Sequence, residues 1–171
     1  SMTNWPSTLR CKILKPYSGY MIAIGVTESG TDQPYVVRWS DAIIPGTMSP
    51  DWDYTATTNL AGRNELSGRD GAIRDMLQLA DQNILYLDNG VYSMQYVGGQ
   101  FVFSFRKIFD DDGILTEGAV TEFQGKHFVV GNDDIYIHDG ASKRSISDGR
   151  VSRYFRNTLR NPNSVQVQRV V

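Results

Sequence analysis

Short alternating runs of apolar and polar residues recur along most of the chain and predict many β-strands. The runs are rich in β-branched and aromatic residues, and Gly, Asn and Asp separate them, which is typical of strands joined by tight turns. Turn signals such as Ser29-Gly30, Gly98-Gly99 and Gln124-Gly125 allow the positive φ angles that short hairpins need. The predicted strands are Leu9–Leu14, Tyr20–Thr27, Tyr35–Ser40, Ile73–Leu79, Ile84–Leu87, Val91–Val97, Gln100–Ile108, Gly118–Phe123, His127–Val130, Ile135–His138 and Ser142–Ile146.

A weak internal repeat groups these strands into three units, which are 9–44, 71–109 and 118–146. Gly71-Ala72-Ile73 at the start of the second unit matches Gly118-Ala119-Val120 at the start of the third. Three or four antiparallel strands in about 40 residues are typical of a β-propeller blade, and a propeller ring needs 4 to 8 blades. We therefore expect an all-β fold of about three propeller-like blades, as an incomplete propeller or a fragment. A plain antiparallel sandwich is the alternative.

Three segments do not follow the strand pattern. Residues 1–8 form a lead-in whose Ser1-Met2 start is typical of a cloning remnant, so we expect a piece of a longer protein. Residues 45–70 are predicted to be an inserted irregular loop. Residues 147–171 are predicted to be a basic tail with one short helix over Val151–Arg160, because apolar residues recur there at helical spacing.

The inserted loop contains two aromatic residues, Trp52 and Tyr54. Long loops within compact domains are usually functional, and aromatic side chains dominate the energetics of protein interfaces. We therefore predict that Trp52 and Tyr54 are interaction residues. The alternative is that they fold back over the end of their own sheet.

Charge divides the chain into an acidic body and a basic tail. The net charge is -2, but residues 1–139 hold 10 Lys/Arg against 18 Asp/Glu, a balance of -8, and residues 140–171 hold 7 against 1, a balance of +6. Four arginines, three within the predicted helix and one directly before it, are candidate interaction residues, for phosphates or for an acidic neighbour, although a solvated or internally paired face is the default interpretation. They are Arg150, Arg153, Arg156 and Arg160.

Candidate chemistry is sparse. The chain has one cysteine, Cys11, and two histidines, His127 and His138, both within predicted strands, where a satisfied polar role is the expected one. Asp110–Asp112 and Asn132–Asp134 have the composition of calcium loops but not their spacing, which favours turns. No hydrolase, phosphate-loop, dinucleotide or zinc-protease motif is present, and no apolar run approaches the ~20 residues of a membrane span. We predict no catalytic residue, metal, cofactor, export signal or membrane span.

A resemblance to a known family is found in the order of several short motifs. Val37-Arg38-Trp39-Ser40-Asp41 is followed by Pro50-Asp51-Trp52, Ala61-Gly62, Ile84–Leu87 and Val91–Gly99. This order resembles bacteriophage tail-nozzle proteins, also called tail tubular protein B, and related propeller-bearing phage virion proteins, over residues 9–160. The resemblance implies a non-enzymatic virion subunit that is assembled in the bacterial cytoplasm. It also implies homo-oligomers around the tail channel, contacts with other tail subunits and non-specific contact with DNA.

Two other functions stay open. A receptor- or glycan-binding propeller would use Trp39, Trp52 and Tyr92 to stack on sugars. A hydrolase would use carboxylates such as Asp110 and Glu117, although no base, metal or pocket is recognisable beside them.

Overall fold

The computed structural model describes residues 4–46 and 50–147 of the chain. These residues are mostly β, as predicted, and the strands form four antiparallel sheets. The strands are β1 Leu9–Arg10, β2 Ile13–Tyr17, β3 Tyr20–Ile24, β4 Val26–Glu28, β5 Thr31–Gln33, β6 Val36–Trp39, β7 Gly62–Glu65, β8 Ile73–Leu79, β9 Gln82–Leu87, β10 Gly90–Gly98, β11 Val102–Asp110, β12 Val120–Phe123, β13 Lys126–Val130, β14 Ile135–His138 and β15 Lys143–Ser145. Within the described ranges the helical segments are two 3-10 turns, Gly68–Asp70 and Gly99–Phe101.

Three of the sheets have four strands each. The second sheet is built from β8 to β11 and the third from β12 to β15, and in both the strands lie side by side in chain order. The first sheet has the order β2-β3-β6-β7. Two hairpin turns predicted from sequence, Ser29-Gly30 and Gln124-Gly125, do have positive φ at both residues, so the local turn chemistry sets these connections.

The first sheet differs from the predicted strands at Gly25. The predicted strand Tyr20–Thr27 is broken there, because Gly25 has a φ of +62° and its backbone lies so close to Lys12 that a Cβ atom would be 2.9 Å from the Lys12 Cβ. Beyond this break, β4 pairs with β1 and β5 in a separate three-stranded sheet. The predicted strand Leu9–Leu14 is likewise divided between two sheets, as β1 and β2.

The inserted segment contributes a strand that the sequence pattern did not predict. β7 pairs with β6 in the register Trp39↔Gly62 and Val36↔Glu65. Its residues are Gly-Arg-Asn-Glu, which have no apolar alternation because none of their side chains enters the core. The absence of a Cβ at Gly62 permits this pairing, since a Cβ there would lie 2.3 Å from Cζ2 of Trp39.

The chain forms two compact units. Among the described residues, the first contains 4–46, 50–73 and 96–104, and the second contains 74–95 and 105–147. The core of the first unit includes Leu9, Ala23, Val26 and Trp52. A group of aromatic rings packs in the same unit, with Phe103 within 6 Å of four others, which are Tyr17, Tyr20, Trp39 and Tyr96.

The core of the second unit joins the second and third sheets. Its buried residues are Leu79, Ile84, Tyr86, Val91, Ile114, Ala119, Val120, Val129 and Tyr136. The predicted helix over Val151–Arg160 and the tail around it lie outside the described residues. Among the helical segments that are described, none is long and apolar enough to cross a membrane.

Candidate functional site

The two aromatic residues predicted in the inserted loop have different environments. Trp52 is buried, with 1% of its surface exposed, and its ring meets that of Trp5 edge-on at a centroid distance of 4.8 Å. Tyr54 is 38% exposed. The alternative, in which the aromatic side chain folds back over its own unit, therefore describes Trp52, and Tyr54 is the one of the two that reaches the surface.

The loop is held in place by carboxylates that accept backbone hydrogen bonds. Asp41 accepts from the N–H of Leu60 at 3.0 Å, and Asp51 accepts from the N–H of Trp52 at 2.7 Å and from the side-chain amide of Asn59 at 3.0 Å. Side-chain acceptors of this kind replace the regular ladder bonds of a sheet. The segment around Trp52 and Asn59 is thus ordered by local polar contacts, although it has no regular secondary structure.

A buried arginine also binds the inserted loop. Arg38, on β6, is 1% exposed and donates through Nη1 to Oε1 of Glu28 at 2.7 Å and through Nη2 to the carbonyl of Trp52 at 2.8 Å. Its guanidinium carbon lies 4.4 Å from the centroid of the Tyr54 ring, a cation–π distance. Arg38 therefore positions both aromatic residues of the loop.

Tyr54 lines an open groove of about 570 Å³ in the first unit. The guanidinium of Arg63 lies 5.7 Å from the Tyr54 ring centroid on this groove. The other residues with side chains suited to contact are Asn59, Leu60 and Gln100. The lining thus mixes two aromatic rings, that of Tyr54 and that of the largely buried Trp39, with amide groups and one cation.

The hairpin between β10 and β11 ends beside this groove and carries the most exposed apolar side chain among the large hydrophobic residues described. Phe101 is 78% exposed, Val97 is 54% exposed and Tyr96 is 47% exposed. Gln100 and Val102, which flank Phe101 in the chain, both line the groove. We use the name contact surface for Tyr54, Leu60, Val97, Gln100 and Phe101.

The backbone of this hairpin is strained in a way that keeps Phe101 outside. Val102 has a φ of +56° and is 2% exposed, and Gly98 and Gly99 also have positive φ. A left-handed conformation costs a β-branched residue on the order of 1–3 kcal/mol and persists only where the surroundings fix it. Burial of the Val102 side chain is what fixes it here, so Phe101 is presented on a constrained turn.

Sequence reasoning missed Phe101. The residue falls in an apolar run that was predicted to be strand, Gln100–Ile108, and an apolar residue in such a run is expected to be buried on one face. The Gly98-Gly99 pair directly before it is the signal that points to a turn, and hence to an exposed position. The sequence alone does not say that the turn extends to Phe101.

The remaining candidates are distributed as follows. His127 and His138 lie on β13 and β14, as predicted, and are buried. Trp39 and Tyr92 are 7% and 8% exposed, and Asp110 is paired with Lys107 at 2.5 Å. Arg150, Arg153, Arg156 and Arg160 lie outside the described residues.

The acidic turns form no metal centre within the described ranges, where no group of three or more potential ligand side chains is placed to hold an ion. Asp112 contacts Lys143, and Asp134 accepts from the N–H of Ile135 at 2.8 Å. Asp111, Asp112 and Asp134 line a cavity of about 50 Å³. These contacts are those of turn residues.

No protein-family model matches the chain, and a search of curated proteins finds no matching protein.

Proposed function

We propose that this chain is a non-catalytic structural part of an oligomeric phage-tail assembly and that its sheets serve as rigid surfaces for contacts between subunits. The observation that carries the proposal is the succession of three four-stranded antiparallel sheets along the chain. A four-stranded antiparallel sheet is the unit of a β-propeller, and three such sheets are fewer than the 4 to 8 blades of a closed ring. The motif order that resembles tail-nozzle proteins supports the same assignment.

The contact surface supports an assembly role in physical terms. Phe101 exposes 78% of an aromatic side chain, which is unfavourable in water and is favourable when a partner covers it. Aromatic residues of this kind are enriched at the energetic centres of interfaces. Because the hairpin is constrained at Val102, little conformational entropy is lost when a partner binds. The first partner to test is a second copy of the chain, since the resemblance to tail-nozzle proteins implies a homo-oligomer.

Sedimentation velocity tests the proposal on the chain itself. We expect the weight-average mass to rise between about 1 μM and about 1 mM, which covers association free energies of about -8 to -4 kcal/mol. Phe101→Ser should abolish the rise. Phe123→Ser is the matched control, because Phe123 is an exposed phenylalanine of the second unit, at 58%. The proposal is contradicted if the wild-type chain stays monomeric over this range, or if the Phe101→Ser variant associates as strongly as the wild type.

A glycan-binding function is the second candidate, and the groove is the observation in its favour. An exposed aromatic ring beside amide side chains is suited to stacking on a sugar and bonding its hydroxyls. Of the three residues expected to stack on a sugar, Trp39 lines the groove but is only 7% exposed, and Trp52 and Tyr92 are buried. The exposed stacking ring is therefore that of Tyr54, and Asn59 supplies an amide for the sugar hydroxyls. Glycan-array binding that Tyr54→Ala abolishes and Phe123→Ser preserves, together with a monomeric chain, would replace the assembly proposal.

A further inference from the structure

Three polar side chains are connected inside the apolar core of the second unit. The hydroxyl oxygen of Tyr86, on β9, lies 2.7 Å from Nδ1 of His127 and 2.6 Å from Nε2 of His138. His127 is on β13 and His138 on β14, and these two residues are paired across the strands. All three side chains are buried, with at most 1% exposed. A polar group in such a place is unfavourable unless each donor and acceptor is satisfied.

The neighbouring backbone groups determine the direction of each hydrogen bond. The N–H of Gly140 donates to Nδ1 of His138 at 3.1 Å, so the proton of that imidazole is on Nε2, which donates to Tyr86. The Tyr86 hydroxyl then donates to Nδ1 of His127. Nε2 of His127 donates in turn to the carbonyl of Gln78 at 3.0 Å. With both rings neutral, all four ring nitrogens of the two histidines and the Tyr86 hydroxyl have a hydrogen-bond partner.

We propose that this chain of hydrogen bonds, Gln78–His127–Tyr86–His138–Gly140, is an acid-sensitive lock that holds the second and third sheets together within the second unit. The lock joins β8 and β9 of the second sheet to β13 and β14 of the third. Protonation of the imidazoles opens it, and the unit loses stability as a consequence.

The hydrogen-bond directions explain why a proton opens the lock. A proton added to Nδ1 of His138 would face the Gly140 N–H, so two donors would oppose each other. A proton added to Nδ1 of His127 would face the Tyr86 hydroxyl, which would then have to turn away with no acceptor among the three side chains. In either case a positive charge is created in an apolar core, where it is poorly solvated.

Charged and titratable groups surround the two rings unevenly. Glu122 on β12 favours protonation of His127, and Asp139 favours protonation of His138, whereas Lys143 on β15 and His127 itself oppose protonation of His138. Asp75 on β8 and Tyr136 on β14 act on Tyr86. From β11 the nearest ring is Phe109, whose centroid is 5.2 Å from that of His138.

Burial outweighs these charges. Burial, followed by the charge of His127, lowers the pKa of His138 to about 4, and burial also lowers the pKa of His127. The Asp139 carboxylate accepts from the N–H groups of Ser142 and Ala141, which lowers its own pKa to about 2. It therefore stays ionised through the range in which the histidines titrate.

The sign of the pH effect follows from these directions. A histidine in the unfolded chain takes up a proton near pH 6.5, and the folded histidines take it up at lower pH. The unfolded state therefore binds more protons below pH 6.5, so stability is complete above that pH and is lost as the pH falls toward 4. His138 alone should raise the unfolding equilibrium constant roughly 30-fold between pH 7.5 and pH 5.

Imidazole NMR on the wild-type chain is the primary test. Long-range nitrogen–proton correlation spectra should show both rings neutral at pH 6 with the proton on Nε2, and both should titrate below pH 6.5. Amide exchange, corrected for its intrinsic pH dependence, should accelerate in β13 and β14 at pH 5 but not in β2 and β3 of the first unit. A proton on Nδ1 of either ring at pH 6, a folded-state titration at or above pH 6.5, or equal loss of protection in both units would overturn the proposal.

Variants separate the lock from general burial. Tyr86→Phe leaves a buried donor and a buried acceptor without partners, so we expect it to raise the unfolding equilibrium constant at pH 7.5 at least about tenfold more than Tyr136→Phe does. Tyr136 is the matched control because it is also buried, at 1% exposed against 0% for Tyr86, and its hydroxyl is 3.5 Å from the Gly113 carbonyl, outside the lock. His138→Gln should remove most of the 30-fold pH effect. Equal losses in the two tyrosine variants would contradict the lock, as would a folded His138→Gln chain with wild-type pH dependence.

Discussion

Ala80, in the turn between β8 and β9, has a backbone φ angle that is unfavourable for alanine. It is exposed and has a φ of +52°, a region in which the Cβ of an L-residue crowds the carbonyl oxygen. Ala80→Gly removes that crowding, and the gain exceeds the added entropy of glycine in the unfolded chain.

We expect Ala80→Gly to raise the free energy of unfolding by about 0.5 kcal/mol in urea titrations. Ala141→Gly is the control, because Ala141 is also exposed but does not have a positive φ. It should lower the free energy of unfolding slightly. A lower stability for Ala80→Gly would mean that the turn is not under strain.

Residue 113 must be glycine because two backbone segments approach closely there, and not because of its φ angle. A Cβ at this position would lie 1.7 Å from the carbonyl oxygen of Asp88 and 2.8 Å from that of Leu87. Backbone atoms cannot move aside as a flexible side chain can.

Gly113→Ala should therefore cost about 3 kcal/mol in the free energy of unfolding, as overpacked cores do. The control is Gly68→Ala, since a Cβ at Gly68 would make an ordinary contact of 3.8 Å with Tyr35. It should stay within about 0.5 kcal/mol of the wild type. Equal effects of the two substitutions in thermal or urea unfolding would show that residues 87–88 and 113 are not packed this closely.

At the scale of elements, Arg38 connects β6 to β4 and to the inserted loop. Arg38→Ala removes the charge partner of Glu28 and leaves the Trp52 carbonyl without a donor in the core. We expect a loss of about 3 kcal/mol in the free energy of unfolding. Tryptophan fluorescence should report the change, because Trp52 is buried beside the guanidinium.

Arg63→Ala provides the comparison for Arg38→Ala. Arg63 is 32% exposed and its nearest carboxylate, on Glu65, is 3.7 Å away, so its removal should cost less than about 1 kcal/mol. If both variants lose the same small amount, the buried arginine does not hold the loop. If Arg63→Ala is the more damaging, the groove wall contributes to stability more than the core contact does.

The elements also show where sequence reasoning succeeds and fails. Ile73–Leu79 and Ile135–His138 are predicted to the residue because a run rich in aliphatic or aromatic residues is followed by a turn signal, Ala80-Asp81 and Asp139-Gly140 respectively. β7 is missed since an edge strand of Gly-Arg-Asn-Glu buries nothing. The break at Gly25 is missed because an apolar strand continues on both sides of it. Such a break depends on Lys12, which lies 13 positions earlier in the chain.

For the whole molecule, the charge asymmetry makes a prediction about association. A body of -8 and a tail of +6 should attract each other between copies, and salt screens such attraction beyond about 8 Å at 0.15 M. We expect self-association to weaken on going from low to high salt. Replacing Arg150, Arg153, Arg156 and Arg160 with glutamine should flatten that dependence without changing the effect of Phe101→Ser.

Sedimentation velocity at several salt concentrations separates the contribution of the charged tail from that of the apolar contact surface. If association is independent of salt in the wild type and in the variant with four glutamines, the apolar contact surface is the source of the affinity. Association that strengthens at high salt would contradict the steering role of the basic tail.

The local sequence pattern was sufficient to predict the strand content and several turns. The reason is that strand and turn preferences depend on residues within two to eight positions of one another. The local pattern was also sufficient to predict that His127 and His138 lie on strands. Tertiary packing decided that Trp52 is buried and Phe101 is exposed, although Trp52 lies in a predicted irregular loop and Phe101 in a predicted apolar strand. It also decided the partners of the two histidines, because Tyr86 lies more than 40 positions away in the chain and meets them only when the second and third sheets pack together.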